Sequence, residues 1–148
     1  MKIAIGSDHR GYKLKSRISE LLEENGHTLA DLGAGSEDSV DYPDFAIPVA
    51  EKVAAGEVDR GILICGSGIG MSIAANKVRG VRAALCRTIK DAEMTRRHND
   101  SNVLALSAES GKDPDISELV LTWIDTPFDG GRHLRRINKI SDYENSNR

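Results

Sequence analysis

Only two cysteines, Cys65 and Cys86, occur in 148 residues, and they form neither a CxxC pair nor a ladder of regular spacings. Disulfide frameworks and zinc ribbons are poorly supported by that pattern, and both thiols are expected to be reduced. Aromatic residues make up 4% of the chain and the formal net charge is −3. The broad basic surface and the stacking platforms that hold nucleic acids are therefore missing, and any anionic ligand must be small and locally held. Long apolar runs are missing too. Gly61–Cys65 and Val103–Leu106 are far too short to cross a bilayer, and Met1-Lys2 leads into a brief Ile-Ala-Ile run rather than a signal-peptide core. The expected setting is the cytoplasm, with neither nucleic acid nor membrane as partner.

What remains is an ordinary globular composition, 39% hydrophobic and 29% charged, at a length that buries enough surface for one domain over residues 1–148 without metal or disulfide staples. Short apolar runs ending in glycine or polar residues alternate with segments of helical period, the pattern of βα units around a parallel sheet. The spacing predicts strands at 2–7, 28–32, 60–65, 81–86 and 102–107. Helices are expected at 12–24, 45–54, 67–78, 89–98, 116–124 and 131–143, and the polar tail 143–148 is expected to fray. The fold class is thus α/β: a three-layer Rossmann-like sandwich of five parallel strands, helices on both faces and an extra C-terminal helix. In that last helix Arg132, Arg135, Arg136 and Lys139 share one flank, and Leu134, Ile137 and Ile140 are expected to pack on the other. A basic helix flank is usually just solvated. Here it begins directly after Gly130-Gly131 in an acidic protein, so Arg132 and Arg136, one turn apart, are candidates to clamp a phosphate.

Open α/β sheets bind ligands beyond the carboxyl ends of their strands. Strand one leads into Gly6-Ser7-Asp8-His9, strand three into Cys65-Gly66-Ser67-Gly68-Ile69-Gly70, and the helix before strand five closes with His98-Asn99-Asp100. A carboxylate, imidazoles and a thiol are expected to converge there. The glycine-rich segment reads as an anion cradle of backbone N–H groups, although any tight βα turn recruits glycine. It is neither GxGxxG nor a P-loop, and Met71 stands where a cysteine phosphatase needs arginine. Cys65, set against the cradle, is a candidate base or nucleophile. An isolated strand cysteine is more often a small apolar residue, which is the reading for Cys86. Asp8 is also a candidate helix N-cap, His98 a helix C-terminal cation, and Tyr42-Pro43-Asp44 a loop and cap. His133 carries no assignment.

The segments Gly6–Lys15, Asp41–Ala46, CGSGIGMSIAANKVRGVRAAL within Gly61–Leu85, Arg97-His-Asn-Asp, Asn102–Leu106 and Phe128-Asp-Gly-Gly-Arg-His together resemble the type B ribose-5-phosphate isomerase family, which includes galactose-6-phosphate and allose-6-phosphate isomerases. The likeness spans residue 1 to about 140. It implies interconversion of D-ribose 5-phosphate and D-ribulose 5-phosphate in the non-oxidative branch of the pentose phosphate pathway, through a cis-enediolate and without metal or organic cofactor. It also implies a homodimer or dimer of dimers with active sites at the subunit interface. By the same resemblance Cys65 is the base, His98 and Asp8 serve ring opening, and Ser67 with the amides of Gly66, Gly68, Ile69 and Gly70 holds the enediolate oxygen. Asn99 and Tyr42 then bind the sugar, and His9, Arg132 and Arg136 the phosphate. One departure stands out. Where family members often run Gly-x-Arg after the fifth strand, this chain has Ser107-Ala108-Glu109, with Arg10 and Arg87 as cations that could offset the loss. A six-carbon phosphosugar isomerase and a non-catalytic phosphosugar-binding protein are the alternatives. The galactose-6-phosphate enzymes of the family divide their catalytic groups between two different chains, whereas this chain carries both the cysteine and the histidine.

Overall fold

The computed structural model describes residues 1–112 and 115–147. Helices and strands alternate: β1 (Lys2–Ser7), α1 (Tyr12–Glu24), β2 (Thr28–Asp31), α2 (Pro43–Ala54), β3 (Arg60–Cys65), α3 (Ile69–Ala75), β4 (Ala83–Leu85), α4 (Ile89–Asn99), β5 (Val103–Ser107), α5 (Ile116–Asp125) and α6 (Arg132–Ser146). A short 3₁₀ turn, Ala108–Lys112, separates β5 from α5. All strands are parallel, in the order β2-β1-β3-β5-β4. From β1 the chain first steps outward to β2 and then returns past β1 to β3, so the direction of winding reverses between β1 and β3. Such a switch point opens a crevice at the carboxyl ends of the two strands. Among the described residues no helix is long and apolar enough to cross a membrane.

The two-residue period of the strands sorts the core. Ile3, Ile5, Ile62, Ile64, Leu104 and Leu106 face one layer, where Leu14, Ile18 and Leu22 of α1, Ala92 of α4 and Leu119, Val120 and Trp123 of α5 cover them. Ala4, Leu63, Cys65, Val103 and Ala105 face the other, under Ala46, Val49 and Val53 of α2 and Met71 and Ala75 of α3. Cys65 is thus the last residue of a buried strand and lies on the α2–α3 side.

Three expectations about the helices need correction. α3 is shorter than 67–78, because Gly68 takes a left-handed φ of +76° before it. At its other end Asn76 turns its amide onto the backbone of Ala83 at 2.8 and 2.9 Å. The tail from Tyr143, expected to fray, is helical to Ser146, with Gly80 N–H donating to Glu144 Oε2 at 3.2 Å. The packing face of α6 is also different: His133 and Ile137 are its buried residues, while Leu134 and Ile140 are 48% and 53% exposed. Among the described residues that second apolar flank stays largely uncovered.

Candidate active site

Each functional side chain is placed by the strand or helix end that carries it. At the end of β3, Gly68 N–H donates to Cys65 Sγ at 3.1 Å, so one backbone dipole of the glycine turn is already aimed at the sulfur. The turn must be glycine there. A Cβ on Gly68 would lie 2.6 Å from Leu85 Cδ1 and 2.8 Å from the Leu106 carbonyl carbon, at a φ that L residues avoid. Gly70 is bare for another reason: the Tyr42 ring lies 2.8 Å from where its Cβ would be. Ser67 is exposed, and its Oγ accepts from Ile69 N–H at 3.2 Å. Ser107 donates from Oγ to the Gly66 carbonyl at 2.7 Å and ties the end of β5 to the cradle.

Asp8, 6% exposed, accepts from Arg10 N–H and Gly11 N–H at 2.9 and 3.0 Å. Both bonds fall on Oδ1. Its role is to shape the loop entering α1, whose N-cap is Gly11 rather than Asp8, and Oδ2 has no hydrogen bond among the described residues. His9 Nδ1 accepts from Val40 N–H at 3.2 Å. The proton of the neutral ring therefore sits on Nε2, which leaves a donor suited to an anion. Asp8, Arg10, Tyr42, Cys65, Gly66, Ser67 and Gly70 line a cleft of about 200 Å³ at the switch point. It adjoins a wider one of about 480 Å³ lined by Gly66, Ser67, Arg87, Ser107, Glu109 and Ser110.

The remaining predicted residues are elsewhere, which overturns the expected convergence within one chain. A helix that precedes a parallel strand ends at that strand's amino edge, and α4 does so. Arg82 Nε, just before β4, donates to the Asn99 carbonyl at 3.0 Å, and Asn102 N–H to the Arg82 carbonyl at 3.0 Å. Gly61 pairs with Val103 and Cys65 with Ser107, so four residues of strand separate the rim that holds Asn99 from the rim that holds Cys65. At about 3.3 Å per residue this is about 13 Å of sheet. α6 starts at the same far rim, because Asp129 N–H donates to the Arg97 carbonyl at 3.0 Å. His98, Asn99, Arg132 and Arg136 therefore form a second cluster. Its frame is Arg96, 5% exposed, whose guanidinium binds Asp100 Oδ1 at 2.8 Å together with the carbonyls of Ser101 and Thr126.

His133, which the sequence left without a role, proves to be part of that cluster. Its ring stacks on His98 with centroids 4.1 Å apart and planes 11° from parallel. Burial lowers its pKa from the ordinary histidine value, and His98, Arg132 and Arg136 lower it further, against the opposing pull of Asp129. The ligand atoms of His98, Asp129 and His133 lie within 4.8 Å of one another. A ring nitrogen lone pair lies in the ring plane, so two near-parallel stacked rings cannot both aim at one ion. The stack is not a metal centre. Cys86 is buried, and burial followed by nearby Asp91 pushes its thiol up to about 12, in keeping with an apolar role.

A winding switch between two parallel strands, with a thiol against an amide cradle and a carboxylate lining the same cleft, is the framework of an α/β enzyme with a site for a small polar ligand. Comparison with known proteins is specific about which. The family model of ribose/galactose isomerases matches residues 3–140. Ribose-5-phosphate isomerase B of Escherichia coli strain K12 is 45% identical over 143 residues, covering 97% of this chain and 96% of that protein. Among solved structures, ribose-5-phosphate isomerase B of Clostridium thermocellum superposes with a TM-score of 0.94 at 51% identity and 99% coverage of both chains. That of Mycoplasma genitalium, determined with bound ribulose-5-phosphate, gives 0.93 at 46% identity, covering 97% of this chain and 96% of that one. The chain belongs to the type B ribose-5-phosphate isomerase family, and with it to the isomerase class of enzymes.

Proposed function

We propose that the protein interconverts D-ribose 5-phosphate and D-ribulose 5-phosphate, and that each active site is built from two copies of the chain. The observation that carries this reading is the division of groups between opposite rims of the sheet. Cys65, Ser67, Asp8, His9 and Tyr42 serve one end, His98, Asn99, Arg132 and Arg136 the other, and a second copy brings the far set to the near one. Unspent apolar surface supports the pairing. Ile69 and Ile73 beside the cradle are 45% and 56% exposed, and Leu134, Ile140 and Tyr143 on α6 are 48%, 53% and 70% exposed. Leaving so many large apolar side chains in water is costly without a partner.

The chemistry follows from the groups. His98, with Asp8 across the interface, takes the proton of the anomeric hydroxyl and delivers one to the ring oxygen, which frees the open-chain aldehyde. Cys65, as thiolate, removes the C2 proton. The electron pair moves into a C1–C2 double bond, and the charge falls on an oxygen met by Ser67 and the amides of Gly66–Gly70. A proton passes from the C2 hydroxyl to the C1 oxygen, and returning the abstracted proton to C1 then gives the ketose, so no atom is gained or lost. His9, Arg132 and Arg136 hold the phosphate, which does no chemistry but fixes C1 and C2 against the sulfur. Arg10 lies against bare Gly66 and lines the same cleft, supplying a cation near position 109, where this chain carries glutamate.

Two measurements test the reading. Ribose, ribulose, allose and galactose phosphates are each incubated with the protein in deuterated water and followed by NMR. The five-carbon pair is expected to interconvert fastest, and preference for a six-carbon sugar would replace it as substrate. Inactive Cys65→Ala and His98→Asn chains are then mixed after mild dissociation. Recovered activity is the expected result, and none at any mixing ratio would refute a site shared between chains.

A further inference from the structure

We propose that His133 is a positioning residue for His98: a neutral imidazole platform that fixes the plane of the ring that opens the sugar. The inference rests on the ring-opening reading of His98. His98 is on the last turn of α4 and His133 on the first turn of α6, and their rings overlap at 4.1 Å with only 11° between planes. The meeting is held from outside the rings. Arg97 Nε donates to Asp129 Oδ2 at 3.2 Å, Asp129 N–H to the Arg97 carbonyl at 3.0 Å, and His133 N–H to the Gly130 carbonyl at 3.1 Å. His133 is 7% exposed beneath a more open His98.

The charges around the pair decide what this platform can do. Arg132 and Arg136 of α6 and His98 of α4 oppose a proton on His133, as does its burial, with Asp129 alone favouring one. Two stacked imidazoles do not both ionise readily. Its surroundings thus disfavour a proton on His133, and a ring that stays neutral can hold His98 by stacking without competing for the proton that His98 must pass. A side chain anchored at χ1 and χ2 only by solvent would instead sample several ring orientations, of which few point at the sugar ring oxygen.

The test compares His133→Ala, His133→Phe and His98→Asn with the wild type, on ribose 5-phosphate carrying deuterium at C2. His133→Ala is expected to lower kcat by at least about tenfold, the scale of one misaligned acid–base group, with KM nearly unchanged. Slowed ring opening masks the C–H step, so the deuterium isotope effect on kcat should fall to unity. His133→Phe, which keeps a flat ring without a titrating nitrogen, should recover most of the rate. The inference is overturned if Phe is no better than Ala, or if Ala raises the isotope effect above that of the wild type. His98→Asn separates the two layers of argument. Should it raise the isotope effect, the ring-opening reading itself fails; should it lower the effect while His133→Ala does not, only the positioning role fails.

Discussion

Replacing Gly68 by alanine tests whether the cradle's backbone geometry, rather than merely the presence of a thiol, supports turnover. Two costs add. A left-handed φ of +76° is worth about 1–2 kcal/mol against a non-glycine residue. The new Cβ would also meet Leu85 Cδ1 at 2.6 Å, a side-chain end that can yield, and the Leu106 carbonyl carbon and oxygen at 2.8 and 2.9 Å, which belong to β5 and cannot. Overpacking of that kind costs about 1–3 kcal/mol, for a total of about 2–5. At about 2–4 °C per kcal/mol in a chain this size, Tm should fall by about 4–20 °C. The turn gives way before the strand does, so Gly68 N–H leaves its 3.1 Å contact with Sγ and kcat should drop about a hundredfold, the scale of one lost oxyanion donor. Gly26 is the matched control, with φ +84° and nothing within 4 Å of a built Cβ. Gly26→Ala pays the strain alone, about 1–2 kcal/mol, and should leave kcat intact. Thermal melts and steady-state rates on both variants decide the matter. Equal Tm losses, with Gly68→Ala turnover within threefold of wild type, would refute the reasoning.

Other perturbations probe separate parts of the molecule. Cys65→Ser should abolish isomerisation while phosphosugar binding by calorimetry persists, and retention of turnover within about tenfold would remove the thiol as base. Arg132→Ala should act mainly on KM, since the phosphate it holds takes no part in bond making; a kcat effect with unchanged KM would count against the clamp. Arg96→Met removes a buried cation from Asp100 and two carbonyls and should cost about 3 kcal/mol, the lower end for such a loss because Asp100 is partly exposed, seen as a lower denaturation midpoint. The lowered pKa of His133 makes the unfolded chain bind a proton before the folded one does as pH falls below the ordinary value of 6.5. Stability should therefore decline with acidification in that window, and His133→Phe should flatten the decline in a series of melts.

Much of the architecture was legible because it is written in short-range periods. The two-residue alternation Ile62-Leu63-Ile64-Cys65 and the helical recurrence of Leu14, Ile18 and Leu22 each report a local geometry, and both elements fall where their periods put them. β4 was overdrawn at 81–86 because Val81 and Cys86 are buried yet lie outside the three-residue ladder with β5. The flank of α6 was misjudged because an amphipathic pattern gives the apolar sides of a helix but not what covers them. His98 was placed at the wrong rim by its nearness to β5 in sequence, although a crossover helix returns the chain to the start of the next strand. The His98–His133 stack was unreadable for a deeper reason. It depends on α4 and α6 meeting end to end, and no spacing within either helix records that encounter.

The placement of Cys65 and His98 at opposite ends of one sheet has a consequence for inheritance. In the two-chain site proposed above, a cell carrying one allele altered at Cys65 and another altered at His98 still assembles mixed pairs with one whole centre. Put both lesions on a single allele, and every pair that it forms with an intact product loses both centres. With random pairing each arrangement leaves roughly one centre in four whole, one per mixed pair in the first case and two per intact pair in the second.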